Sequence, residues 1–273
     1  MADVVMGNAE TSALRQDLIA ALVQRELIEE AVVAPNVFNV SQFALPGAKQ
    51  IEFPKAGSFT VQKKLEDEEA QAQAVTYSTD ALTLDQHAVV QWIIPKRSEL
   101  QANVNLLADT TARAARAHAK QVDSDIISAM DSGAAAANAV SLSSDFGREE
   151  ITEMRRKIRG QNFPVSDLTL AVAPDFEEDM LNVADFINAD KYGNTQPIQN
   201  GEIGRVFGVR VVISNLLSAK AIMFHREALA LGFQQNPEFD EDKDLANLGM
   251  RYSLDQLYGY KVLQSGLGIS VCS

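Results

Sequence analysis

The residue types that carry most protein chemistry are few in this chain and badly spaced for it. Three histidines, His87, His118 and His225, have no carboxylate or cysteine at metal-ligand spacing. They read as a strand residue, a helix residue and a strand-end residue, each with a structural role. The single cysteine, Cys272, excludes a disulfide framework or a thiolate metal site within one chain and reads as a free thiol. Gly201, Gly204 and Gly208 imitate a dinucleotide fingerprint, but the spacing is wrong and a strand follows where a helix is required. No Gly-x-Ser-x-Gly elbow, Walker loop or His-Glu-x-x-His occurs. The acid pairs Glu68 and Glu69, and Glu149 and Glu150, are adjacent, so their carboxylates diverge instead of converging on one substrate atom. No catalytic site, cofactor or metal is expected.

What remains is charge. Glu66, Asp67, Glu68 and Glu69 form an acidic run just after Lys63 and Lys64, while Arg155, Arg156, Lys157 and Arg159 form a basic one. Neither run has an evident partner inside its own segment; a solvated surface is the alternative reading of the basic run. The net charge of -13 opposes any role in coating nucleic acid, which demands clustered cations. No run of eighteen apolar residues occurs, and the first thirty residues lack the basic start and apolar core of a signal peptide, so no membrane association is expected and the cytoplasm is the expected place of synthesis. A chain of 273 residues, 46% hydrophobic, suits one elaborate globular domain or two modest ones.

The elements that must position these residues centre on Ser98 to Asp131, SELQANVNLLADTTARAARAHAKQVDSDIISAMD. Leu100, Val104, Leu107, Thr111, Ala115, Ala119, Val122, Ile126 and Met130 recur at steps of three or four, predicting one long helix. Ser98 with Gln101 forms a capping-box pattern, and Gly133 stands where a left-handed cap would sit. Such a rod is roughly 50 Å long. Ahead of it, Leu14, Leu18, Leu22, Leu27 and Ile28 predict an amphipathic arm that ends before Pro35. Phe38 to Pro95 switches to strand and turn, with breaks at Pro46-Gly47, Pro54 and Gly57 and the acidic run as the tip of a long two-stranded excursion. An isolated hairpin of that length is marginal and needs an outside surface.

Beyond the rod, Asp145 opens a second helix with Ile151, Met154 and Ile158 on one face and the basic run on another, stopped by Gly160 and Pro164. Leu168 to Ala173 is a buried strand, Pro174-Asp175 starts a helix with Glu178 at the capping-box position, and Ile187 to Gly204 is a turn-rich loop. Val209 to Ile213 suits a central strand. Ala221 to Phe224 and Leu229 to Phe233 are short strands, and Gln234 to Asp244 reads as an acidic loop. Ala246 to Asp255 alternates as a half-buried strand broken by Gly259, and Tyr260 to Val271 supplies the last strand or two. The class is α+β.

This order of parts, with ALTLDQHAVVQWIIP (Ala81 to Pro95) entering the long helix, TLAVAPDFEEDML (Thr169 to Leu181) and GEIGRVFGVRVVISN (Gly201 to Asn215), resembles the major capsid proteins of tailed bacteriophages, the Hong Kong 97-like fold. The resemblance implies an N-terminal arm over residues 1–35, an extended loop over 44–95, a peripheral domain over 98–165 and 228–258 with its spine helix at 98–131, and an axial domain over 166–227 and 259–273, whose loop from Asn188 to Gly201 would reach the capsomer centre. It also implies self-assembly into hexamers and pentamers of an icosahedral shell around double-stranded DNA, in the virion, assembled in the host cytoplasm. Expected partners are other copies, a separate scaffolding protein, a portal and a decoration protein. In some family members a lysine of the extended loop is crosslinked to a neighbour; Lys63 and Lys64 lie near that tip but are counted here as contact residues. The acidic tip Glu66, Asp67, Glu68 and Glu69 is expected to dock near Arg155, Arg156, Lys157 and Arg159 of a neighbour. An encapsulin-type compartment of the same fold and, in another class, a soluble α+β enzyme are the rival readings.

Overall fold

A helix of 28 residues, Leu106–Gly133, lies across two β-sheets and supplies side chains to the cores of both. The computed structural model describes residues 31–57, 59–61, 63, 72–101, 106–142, 145–176, 179–180 and 202–273. In chain order the elements are β1 (Phe38–Asn39), β2 (Gln50–Ala56), β3 (Tyr77–Thr83), β4 (Gln86–Pro95), α1 (Lys96–Gln101), α2 (Leu106–Gly133), α3 (Arg148–Gly160), β5 (Leu168–Val172), β6 (Glu202–Val206), β7 (Val209–Ile213), β8 (Ala221–His225), β9 (Leu229–Asp244), β10 (Gly249–Val262) and β11 (Ile269–Cys272). The arm helix, the helix beyond Met180 and the loop to Gly201 lie outside the described residues.

The expected stripe holds from Thr111 onward, where Thr111, Ala115, Ala119, Val122, Ile126 and Met130 are all buried; Leu107 is half-buried, and Leu100 and Val104 have side chains outside the described residues. The expected ends do not. Ser98 sits inside α1, which begins at Lys96, so it is not an N-cap; residues 102–105, between α1 and α2, lie outside the described residues. Gly133 is the last residue of α2 and does not take a left-handed conformation. Its lack of a side chain serves close approach: a Cβ there would lie 2.8 Å from Val262 Cγ2.

The four-stranded sheet runs β1-β9-β10-β4, with β10 antiparallel to both long neighbours. On its inner face Trp92, Tyr252 and Phe239, from three adjacent strands, stack at centroid distances of 5.8 and 5.7 Å beneath Leu106, Leu107, Ala114 and Ala115. Residues 234–244, expected as an acidic loop, are instead the second half of β9 and pair with β10 down to Asp244. Asn236 and Pro237 form a bulge opposite Gln256, which accommodates the proline, and Glu238, Asp240 and Asp242 beyond it alternate outward. Residues 245–248 are the connecting turn, not strand, and Asp244 accepts hydrogen bonds there from the amides of Ala246 and Asn247, from Asn247 Nδ2 and from Arg251 Nη2 at 2.7 Å. Asn247 and Arg251 hold the Asp244 carboxyl well below the usual carboxylate range.

Nor does Gly259 break β10. The strand continues to Val262, and a Cβ at Gly259 would lie 2.0 Å from the Thr83 carbonyl oxygen, so glycine lets the end of β3 cross over the sheet.

The five-stranded sheet runs β11-β8-β5-β7-β6, and every residue of β5 and β8 is buried. β7 stands between β5 and β6, as its apolar run predicts. Phe207 and Gly208, both at positive φ, make the two-residue turn from β6 into β7, so Gly208 is a hairpin residue. Helix α3 begins at Arg148, three residues later than expected, after Gly147, whose amide donates to Glu150 Oε2 at 3.0 Å. It packs on β11 of this sheet through Ile151, Met154 and Ile158. Lys220 Nζ bridges to Asp131 Oδ2 at 2.7 Å, tying the end of α2 to the same sheet.

Candidate interaction surfaces

Strands β2 and β3 form an antiparallel ribbon, Gln50 opposite Thr83 through Ala56 opposite Tyr77, as the excursion predicts. Its root is built in: Ile51, Leu82 and Leu84 pack with Val40, Ala44, Ala230 and Leu263. Above the root the ribbon leaves the body. Gly57 still donates to the Thr76 carbonyl, and the Gln73 side chain pairs with both backbone groups of Thr60, so the two legs stay joined past the strands. At this end Phe59, Val61, Val75 and Tyr77 are exposed, Val61 at 90% and Tyr77 at 71%. Large apolar side chains each gain about 1.5–3 kcal/mol on full burial. A ribbon also leaves both strand edges open, which favours pairing or covering by another chain. Strand β4, expected within the excursion, pairs along its length with β10 and belongs to the four-stranded sheet.

The outer face of that sheet is a second surface left uncovered by the described residues. Register places Val89, Asp255 and Glu238 in one row, Gln91, Ser253 and Asp240 in the next, and Ile93, Arg251 and Asp242 in a third. Val89 and Ile93 are exposed apolar residues, and Glu238, Asp240 and Asp242 make an acidic column beside them. Glu238 and Asp255 are like charges directly opposite, a destabilising arrangement. Gln235 Nε2 relieves it by donating to both, at 2.8 and 3.1 Å, and His87 Nε2 lies 3.3 Å from Asp255. The period-two spacing of residues 238, 240 and 242 was the available signal, hidden by the proline that precedes it.

The basic run on α3 is less free than its sequence suggests. Arg155 Nη1 donates to the Phe207 carbonyl at 2.8 Å, Arg156 makes a two-pronged pair with Glu153 at 2.6 and 2.7 Å, and Lys157 donates to the Ala139 carbonyl. The expectation that this cluster lacks a partner within its own segment is corrected for Arg156 alone, which pairs with Glu153, while Arg155 and Lys157 meet carbonyls of other segments of the same chain. Arg159 is exposed, with no ion pair among the described residues. Lys63 is exposed near the ribbon tip; Lys64, Glu66, Asp67, Glu68 and Glu69 lie outside the described residues.

The histidines take structural positions. His118, buried on α2, donates through Nε2 to the Leu254 carbonyl at 3.1 Å, and burial lowers its pKa. His225 Nδ1 accepts from the Glu227 amide at the end of β8. Cys272 is buried, and burial pushes its thiol up to about 11. Among the described residues no cluster of His, Cys, Asp or Glu could hold a metal ion, and no helix is long and apolar enough to cross a membrane.

A subunit with a spine helix, a ribbon projecting from its body and two sheets in this order has the architecture of a capsid subunit, the Hong Kong 97-like fold. The solved structure described as Mycobacterium phage Che8 matches with a TM-score of 0.72 at 21% identity, over 89% of this chain and 91% of that one. The capsid structure of the Cyanophage P-SCSP1u matches with a TM-score of 0.72 at 12% identity, over 89% and 88%. A stretch of 71 residues is 32% identical to the major capsid protein of Escherichia phage T5, covering 26% of this chain and only 16% of that protein's length. The family model described as phage capsid protein matches residues 96–269. The chain belongs to the phage capsid protein family.

Proposed function

We propose that this chain is a major capsid protein whose copies associate into hexamers and pentamers of an icosahedral shell enclosing double-stranded DNA. In this reading it is a structural protein without catalytic activity, assembled in the host cytoplasm with a separate scaffolding protein and a portal, and met on the finished shell by a decoration protein. The four-stranded sheet with α2 serves as the peripheral domain and the five-stranded sheet as the axial domain. The observation that carries the reading is the β2–β3 ribbon, whose exposed apolar end has no cover among the described residues of its own chain. Membership of a capsid family supports another copy as the cover. Because ribbon and receiving surface differ, the contact is head-to-tail, the kind that closes into rings.

Negative-stain microscopy of the purified chain tests this directly. Closed particles or ring-shaped capsomers are expected; a monodisperse monomer overturns the reading. The compartment alternative is separated by contents, since shells from the native source should hold DNA and not a protein cargo. The family and the named relative are both phage proteins, which favours the genome.

Charge across subunit edges sets register in this proposal, with Lys63, Lys64 and Glu66 to Glu69 of one ribbon near α3 of a neighbour. Arg155, Arg156 and Lys157 already have acceptors, so Arg159 is the discriminating cation. Single rim pairs contribute only about 0–1 kcal/mol, and the effect comes from repetition around the shell. Arg159→Glu should slow assembly without changing the melting temperature, and adding Glu68→Lys should restore part of the rate. An Arg159→Glu chain that assembles at the normal rate removes this pairing while leaving the shell reading intact.

A further inference from the structure

The two edges of the four-stranded sheet differ in character. On one side β1 covers β9 only at Ala230 and Leu231. The rest of that edge carries Glu238, Asp240, Glu241 and Asp242 and is interrupted by the bulge at Pro237. Charge, proline and bulge all keep a strand edge from pairing with another chain. On the other side stands β4, Gln86–Pro95, paired with β10 along one edge and with no strand on its other edge among the described residues. It holds no Asp, Glu, Lys or Arg. A long open edge without a formal charge is a template for an added strand.

The side chains of β4 fit a second copy of the same strand. His87, Val89, Gln91 and Ile93 face outward and are exposed, while Ala88, Val90, Trp92 and Ile94 face α2. When two copies pair antiparallel about a two-fold axis, the pleat admits only registers that set outward residues against outward ones. The register centred on Gln91 sets Val89 against the partner's Ile93, Val90 against the partner's Trp92 and Gln91 against the partner's Gln91. Centring on Val90 or on Trp92 instead sets Gln91 against Val89 or against Ile93, and an apolar cross-strand pair is lost on the outer face. The ends agree as well. Exposed Asp85 precedes the strand and exposed Lys96 and Arg97 follow it, so antiparallel pairing brings the acid of each copy to the basic end of the other.

We propose that the open edge of β4 is a two-fold contact, centred on Gln91, through which two copies join their four-stranded sheets into one. The inference rests on the assembly reading above and adds a contact of a different kind. The ribbon contact is head-to-tail and closes a ring. A closed shell also needs contacts between rings, and a self-complementary patch related by a two-fold axis supplies one.

Disulfide trapping in the full-length chain tests the register, in a Cys272→Ala background so that the introduced thiols are the only ones. Directly opposite residues of an antiparallel pair have Cα atoms about 4.5–5.5 Å apart, within disulfide reach. Gln91→Cys should therefore link most chains into dimers on mild oxidation. Val89→Cys and Ile93→Cys each stand about 13 Å along the strand from their own counterpart, so alone they should link at least about tenfold less. Mixed before assembly, those two variants should link to each other. Val89→Glu with Ile93→Glu, both at exposed positions, sets like charges opposite one another. Rings should still form in this variant, with the yield of closed particles reduced at least about tenfold by the repeated repulsion. Equal linkage at all three positions, or normal particles from the double variant, overturns the inference. Rings and particles without the Gln91 link overturn the edge contact and leave the assembly reading standing, whereas a wild-type chain that forms neither overturns the assembly reading itself.

Discussion

Strand β5 and the ribbon formed by β2 and β3 are both short stretches of β structure with apolar and β-branched residues, yet they end in different states. Every residue of β5 is buried, between β7 and β8 in its sheet. The ribbon has one buried end, at Ile51, Leu82 and Leu84, and an exposed one at Phe59, Val61, Val75 and Tyr77. β5 is the more apolar, but the ribbon also carries large apolar side chains, and among the described residues these are buried only where the same chain supplies a covering surface. Stability and assembly should therefore respond to different mutations, which gives the comparison a direct test.

The largest effect on folding is expected in β5. Leu170 is fully buried in the main core, so Leu170→Ala should cost about 3 kcal/mol of subunit stability through lost burial and a residual cavity. A urea melt of the unassembled subunit measures it. A loss below about 1 kcal/mol would mean that the five-stranded sheet is not the tightly packed body drawn here. The contrasting variant is Val61→Asp with Tyr77→Asp. Both side chains are exposed, so the melt should shift by less than about 0.5 kcal/mol, while the yield of particles falls sharply. Should the double variant unfold the subunit, the ribbon is part of its own fold and the distinction fails.

The same contrast explains how far sequence could see. The period of Thr111 to Met130 and the apolar run of β5 were legible because burial there repeats with the period of the element. Residues 234–244 were misread because Pro237 and five acids look like a loop, when a bulge holds the proline, the sheet's open face takes Glu238, Asp240 and Asp242, and the turn takes Asp244. Gly133 and Gly259 were assigned to ending elements; their real constraint is a neighbour, Val262 or Thr83, remote in sequence. The basic run suffered likewise. Phe207 and Ala139 accept from Arg155 and Lys157 through backbone carbonyls, which no pattern of side-chain types reveals.

A smaller effect sharpens the comparison from the side of pH. His118 lies buried between α2 and β10, inside the body, and burial holds its pKa below the ordinary value despite the Leu254 carbonyl and the nearby Asp255 charge. The folded state therefore resists a proton that the unfolded chain accepts near pH 6.5, the ordinary histidine value. Stability should be flat above about pH 7 and decline as the pH falls through and below 6.5, because the unfolded state then binds more protons. His118→Gln, which keeps a donor for the Leu254 carbonyl and cannot titrate, should flatten melting temperature against pH in that window. The ribbon variant Val61→Asp with Tyr77→Asp should retain the wild-type decline, since it leaves the seam between helix and sheet untouched. A decline that survives His118→Gln, or vanishes in the ribbon variant, would place the acid-sensitive contact outside the body and undo the division between a self-sufficient core and a ribbon completed by another copy.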